Sequence, residues 1–143
     1  MNKECLKKAL DIAKNSDNPI VAIVVYKNEV VAIGTNSREV DNDITSHAEI
    51  LAIKSISKKK KNWRLEDCEI FVTLEPCPMC AWAILQARIK AVYFGAYNPQ
   101  YGAFGSSVNL CDISPFKPKV YGGIMEDECR KLLQDFWTKK RGE

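Results

Sequence analysis

This sequence predicts an α/β fold in which helices cover both faces of a sheet, and three observations carry that expectation. Two β-branched runs, "IVAIVVY" at residues 20–26 and "VVAIGT" at 30–35, are apolar almost throughout, the pattern of strands buried on both faces. A strand, helix, strand unit follows, "EIFVTL", "PCPMCAWAILQARI" and "KAVYFGA", long enough for a parallel crossover. The chain has 143 residues, 46% of them hydrophobic, which suits one domain burying roughly 70% of its unfolded surface.

The elements can be justified in order. Leu6, Ala9, Leu10 and Ala13 recur at three- and four-residue spacing, so residues 2–14 form an amphipathic helix that "NSDNP" stops. The polar "KNE" between the two β-branched runs makes them a hairpin. The polar stretch "NSREVDNDIT" comes next. In "SHAEILAIKSI" the spacing turns helical, and Ser46 with Glu49 three residues on has the form of a capping box. Two prolines at 76 and 78 belong at the entrance of the next helix, where a missing N–H costs nothing. "YNPQYGAFGS" follows a strand end, where open α/β sheets place ligands, and reads as a substrate loop. A short strand around Val120 precedes a last helix whose apolar stripe, Met125, Cys129, Leu132, Leu133, Phe136 and Trp137, is expected in the core.

No run of about 20 apolar residues is present for a membrane span, and the first residues carry acids and lysines in place of an apolar signal core. The expectation is a cytoplasmic protein with no membrane partner. Six cysteines in a chain that builds its own core do not suggest a disulfide framework. The net charge is only +3, but cations bunch at Lys58–Lys61 and at Lys139, Lys140 and Arg141, as solvated helix ends do and as phosphate-contacting surfaces do.

Chemistry concentrates in "HAE", with the chain's one histidine, and in "TLEPCPMC". Cys77 and Cys80, at i and i+3 of a helix entrance, point both sulfurs the same way. Alone, the pair reads as a zinc half-site, a dithiol redox couple or two small apolar residues, and a helix N-terminus favours thiolates in either of the first two. His47 at a second helix entrance completes a three-ligand set of the kind that leaves a fourth position open in catalytic zinc sites. Glu49 then stands where an acid/base group is needed. Residues two apart on a helix point to nearly opposite sides, so both can serve one site only from the helix end.

A histidine, any residue and a glutamate, followed by P-C-x-x-C, is the signature of the zinc nucleobase deaminases. The chain resembles the cytidine deaminase superfamily and, within it, the bacterial tRNA-specific adenosine deaminases. "TSHAEILAI", "LEDCEIFVTLEPCPMCAWAILQARIKAVYFGA", "YGAFGS" and "DECRKLLQDFW" all carry the likeness, which runs from about residue 18 to the end. The resemblance implies a three-layer α/β/α sandwich with a five-stranded mixed sheet, forming a single deaminase domain over residues 1–143. It implies one zinc ion per chain held by His47, Cys77 and Cys80, zinc-hydroxide attack on purine C6, and Glu49 as the proton shuttle. It further implies adenosine-to-inosine conversion at the wobble position of a tRNA anticodon stem-loop, and a homodimer. By the same carry-over Asn36, the backbone near Pro76 and Asn98 contact the flipped nucleotide, while Phe136, Trp137 and the terminal basic residues border the anticodon loop.

The sequence departs from the family's usual pattern at Val21, where glycine is common, at Trp82, where a small residue follows the second cysteine, and at Asn98, where aspartate is usual. These changes bear on close packing, the dimer contact and substrate contacts. A second reading keeps the zinc and the glutamate but takes a free base or nucleoside, such as guanine or cytosine. Two further readings, an RNA-binding protein with structural zinc and a dithiol redox protein, leave Glu49 without a task.

Overall fold

Val, Ile and aromatic residues fill five strands: β1 (Val21–Tyr26), β2 (Glu29–Thr35), β3 (Cys68–Leu74), β4 (Ala91–Ala96) and β5 (Lys119–Tyr121). The computed structural model describes residues 2–141, with side chains through residue 139. The strands lie in the order β2-β1-β3-β4-β5. β1 runs antiparallel to both β2 and β3, whereas β3, β4 and β5 are parallel, so the sheet is mixed. Among the described residues the α-helices are α1 (Asn2–Lys14), α2 (Arg38–Asp41), α3 (Ala48–Lys60), α4 (Pro78–Gln86) and α5 (Glu126–Arg141). Both α2 and a 3₁₀ turn at Leu110–Ile113 arise where the sequence offered only polar or mixed composition.

Side chains on a strand alternate between the two faces of the sheet. Ala22, Val24, Ile70, Val72, Val92 and Phe94 point to one face, where they pack with Ala48, Ala52 and Ile56 of α3 and Ala81, Ile84 and Leu85 of α4. Val21, Ile23, Val25, Phe71 and Tyr93 point to the other, against Leu6, Ala9, Leu10 and Ala13 of α1 and Cys129 and Leu133 of α5. This is the expected three-layer sandwich. On the second face Phe71 and Tyr93 stack with centroids 4.3 Å apart, and Tyr121 continues the stack at 5.0 Å.

Several local expectations are corrected. The hairpin turn is two residues, Lys27 and Asn28, both with positive φ (50° and 64°), because Glu29 pairs with Tyr26 and belongs to β2. Positive φ at both central positions is the turn whose twist matches that of paired strands. β2 is an edge strand, not one covered on both faces: Ile33 is 51% exposed. Ser46 and Glu49 form no capping box, since His47 is the N-cap of α3 without a side-chain cap bond and both Ser46 and Glu49 are buried. The apolar stripe of α5 is core only in its first half. Cys129 and Leu133 are buried, but Phe136 is half-buried and Trp137 is 40% exposed. Val21 is accommodated in the core with no exposure, and its N–H donates to Thr73 Oγ1 at 3.1 Å.

Two glycines set how closely helices approach the sheet. A Cβ on Gly34 would lie 2.0 Å from the Ala48 carbonyl oxygen, so the first turn of α3 rests directly on β2. A Cβ on Gly95 would meet Cys129 Sγ at 2.3 Å, so α5 is seated against β4 by the same device. The starts of α3 and α4 meet as well, since donor atoms of His47, Cys77 and Cys80 lie within 4.8 Å of one another.

Candidate active site

His47 and Cys77 occupy equivalent places, each the N-cap of its helix with extended backbone (φ −80°, ψ 153° and φ −73°, ψ 172°). Pro78 takes the first position of α4, where its fixed φ suits the helix, and Cys80 follows one turn in. His47 Nδ1 lies 3.7 Å from Cys77 Sγ and 3.4 Å from Cys80 Sγ, and the three donor atoms all fall within 4.8 Å of one another. Tetrahedral zinc, with bonds of about 2.0 Å to nitrogen and 2.3 Å to sulfur, separates such ligand atoms by about 3.6 Å, so the donor set fits that ion in kind and in spacing.

The electrostatics of the cluster point the same way. The Cys77 thiol is drawn down to about 5, first by the hydrogen bond from Cys80, with further help from the backbone N–H groups of Cys80 and Met79 and from His47. The Cys80 thiol is pushed up by that same shared proton, by burial and by Glu49. Glu49 is 3% exposed, and burial is the largest cause raising its carboxyl to about 7. Its Oε1 has no hydrogen-bond partner, the one such buried side-chain oxygen or nitrogen among the described residues. A buried acceptor left unpaired costs stability, and here it borders a cavity that His47 and Cys77 also line.

That cavity, of about 770 Å³, collects most of the residues the sequence singled out. Asn36 lines it, its Oδ1 held by the N–H of Arg38 at 3.0 Å. Asn98 lines it too, and its Oδ1 accepts from the Tyr101 N–H at 3.1 Å. Pro76 is buried behind the wall formed by Glu75 and Cys77, and its carbonyl accepts the Ala103 N–H at 2.9 Å. Among the described residues, Trp137 and not Phe136 supplies the wall from α5. Lys139 is exposed, while the side chains of Lys140 and Arg141 lie outside the described residues.

The segment read as a substrate loop does line the cavity, through Tyr97, Asn98, Pro99, Gln100 and Tyr101, whereas sequence reasoning missed Glu75 and Arg38 in this wall. Glu75 is 1% exposed and accepts the N–H groups of Asn98, Phe104 and Ser106. An acid inside "FVTLEPC", between an apolar strand and a proline, was the available signal.

A glutamate two residues beyond a histidine, both brought to P-C-x-x-C at a second helix entrance, defines the nucleobase deaminase class, and the mixed five-stranded sheet is that of the cytidine deaminase fold. The chain belongs to the MafB19-like deaminase family, whose pattern matches residues 1–141. It is 38% identical over 141 residues to a tRNA-specific adenosine deaminase of Bacillus subtilis, a match that spans 97% of this chain and 88% of that one. A solved structure from studies of A-to-I editing by tRNA:A34 deaminases superposes with a TM-score of 0.85 at 37% identity, covering 90% of this chain and 97% of the other. The guanine deaminase of Nitrosomonas europaea shares the fold, with a TM-score of 0.81 at 20% identity over 94% of this chain and 83% of that one. No helix among the described residues is long and apolar enough to cross a membrane.

Proposed function

We propose that this chain converts adenosine to inosine at the wobble position of a tRNA anticodon, with one zinc ion held by His47, Cys77 and Cys80. The observation that carries the reaction is the buried, unpartnered oxygen of Glu49 in the wall shared with the His47–Cys77–Cys80 cluster. The substrate is supported by the near-full-length likeness to tRNA-specific adenosine deaminases.

When bound, zinc makes a water acidic enough to act as a nucleophile at neutral pH. Glu49 receives the proton that water gives up as it adds to C6, and returns it to the amino group as the C6–N bond breaks. Adenosine and water become inosine and ammonia. Glu49 is suited to both halves of this exchange because burial raises its proton affinity, while a zinc ion held beside it would oppose that rise. The helix entrances of α3 and α4 add partial positive charge where negative charge develops. Asn36 lines the cavity with its amide fixed by the Arg38 N–H, which supports a role in hydrogen-bonding and orienting the ring edge.

A cavity near the upper end of the usual range of about 300 to 1,000 Å³ has room for more than a base. Its rim of half-exposed Tyr97, Tyr101 and Trp137 suits unpaired nucleotides, and a base in an anticodon loop is extruded at little cost. The same reading takes the protein as a cytoplasmic homodimer, with Trp82, 37% exposed on α4, among the apolar side chains a partner would cover.

The test is inosine formation by the zinc-loaded protein on an anticodon stem-loop with adenosine at the wobble position, alongside guanine, cytosine and free adenosine. Inosine in the stem-loop alone, with affinity that falls steeply as salt rises, is the expected result. Turnover of a free base in its place moves the protein to the small-molecule deaminases while leaving Glu49 and the cluster in their roles.

A further inference from the structure

We propose that Glu75 is a positioning residue for substrate: its buried carboxylate sets the shape of the 97–106 loop, and through that loop the grip on the nucleotides beside the target base. The inference deepens the wobble-adenosine reading and rests on it for what is gripped. Glu75 follows β3, and its own N–H donates to the Ala96 carbonyl at 2.9 Å, which fixes the backbone from which the side chain extends. One carboxylate oxygen accepts the Asn98 N–H at 3.1 Å, and the other accepts those of Phe104 and Ser106 at 3.1 and 3.2 Å. The Ser106 hydroxyl donates to the first oxygen as well. A carboxylate offers about four acceptor directions, so the loop alone fills this one.

Peptide N–H groups thus converge on Glu75 as they would around a bound anion, and no Lys or Arg pairs with it among the described residues. The fit leaves no slack. A Cβ on Gly102 would stand 2.4 Å from Cδ and Oε1 of Glu75 and 2.5 Å from the Asn98 carbonyl oxygen. Held at Asn98 and Phe104, the loop carries Tyr97 and Tyr101, 47% and 57% exposed, to the rim of the cavity. Exposed aromatic rings beside a nucleotide pocket are stacking platforms for unpaired bases. Glu75 has its oxygens turned to the loop, so it acts through those rings and not on the reacting atoms.

Glu75→Gln places an amide N–H where the loop needs an acceptor, and the experiment uses the zinc-loaded full chain. Hydrogen exchange at the Asn98, Phe104 and Ser106 amides is expected to speed up about tenfold or more, and KM for the stem-loop to rise by a similar factor, with kcat and zinc content nearly unchanged. Ser106→Ala removes only the hydroxyl bond from an exposed residue, so it keeps the fold and shifts exchange and KM the same way by less. Parental exchange and KM in Glu75→Gln, or a loss confined to kcat, overturns the proposal. Should Glu75→Gln not fold, parental exchange and KM in Ser106→Ala overturn it equally. If the parent makes no inosine in the stem-loop, the wobble reading falls, and the exchange rates alone decide whether Glu75 shapes the loop.

Discussion

On one side of the cavity the functional groups stand at the starts of two helices, where His47, Glu49, Cys77 and Cys80 are fixed by N-cap geometry, Pro78 and the close seat of α3 on Gly34. On the other side the wall from Tyr97 to Tyr101 is irregular chain, hung on the carboxylate of Glu75. Regular elements hold the atoms that must meet within a fraction of an ångström, and a loop holds those that must fit a particular substrate. The separation means that chemistry and recognition can be damaged independently.

The most severe break falls on the helix side. Cys80→Ala leaves two of three donors, so zinc content measured on the purified protein should drop to near zero and inosine formation should disappear; a strong chelator applied to the parent should do the same, reversibly. Next comes Glu49→Gln, which keeps the donor set: zinc and fold remain while kcat falls by about 10² to 10⁴, the usual contribution of a positioned acid/base. A parental rate in this variant would remove the proton shuttle from the scheme. On the loop side, Tyr101→Ala should raise KM for the stem-loop about tenfold, the loss of one base–aromatic stack, with kcat and thermal stability close to parental. A fall in kcat with KM unchanged would show that the two walls are not separable.

The smallest effect concerns α5, which supplies Trp137 to the cavity. Burial pushes the Cys129 thiol from 9.0 up to about 11. The folded state keeps a proton that the unfolded chain releases, so this contribution to stability is whole below pH 9 and is lost as the pH rises toward about 11. Melting temperatures followed across that interval should fall more steeply in the parent than in Cys129→Ala; parallel curves would remove the thiol from the account.

Much of the helix side was legible in the sequence, because ligand spacing and proline placement are local signals. The hairpin of β1 and β2 and the parallel pairing of β3 with β4 across α4 followed from the apolar runs and the helical stretch between them. On the loop side the segment 97–106 was legible as a substrate loop, but the residue that holds it was not. Glu75 reaches across to residues 23 to 31 positions further on, and no periodicity records such a reach. Ser46 and Glu49 matched a capping box in spacing, but the helix begins one residue later, with His47 as its N-cap, and tertiary structure turned both Ser46 and Glu49 inward. The helical stripe assigned Trp137 to the core because it shows which residues share a face, not where along the helix the protein ends, whereas the family resemblance had set Trp137 at the substrate side.

The bond from Ser37 to the Ser46 carbonyl closes the stretch between β2 and α3 into a loop whose ends nearly touch, and Gly34 clamps the chain to Ala48 just beyond it. Residues 39–45 are all exposed, and Asn42, with φ of 54°, already makes a turn there. The excursion touches the entrance of α3 through the carbonyls of Asp43 and Thr45, which accept the Ser46 and His47 N–H groups at 3.1 and 2.8 Å, and Asn42 takes no part in those two bonds. Doubling the length of such a closed loop costs only about 0.6 kcal/mol, so Asn42 is a port at which a binding peptide or a second domain can be grafted without disturbing the entrance of α3.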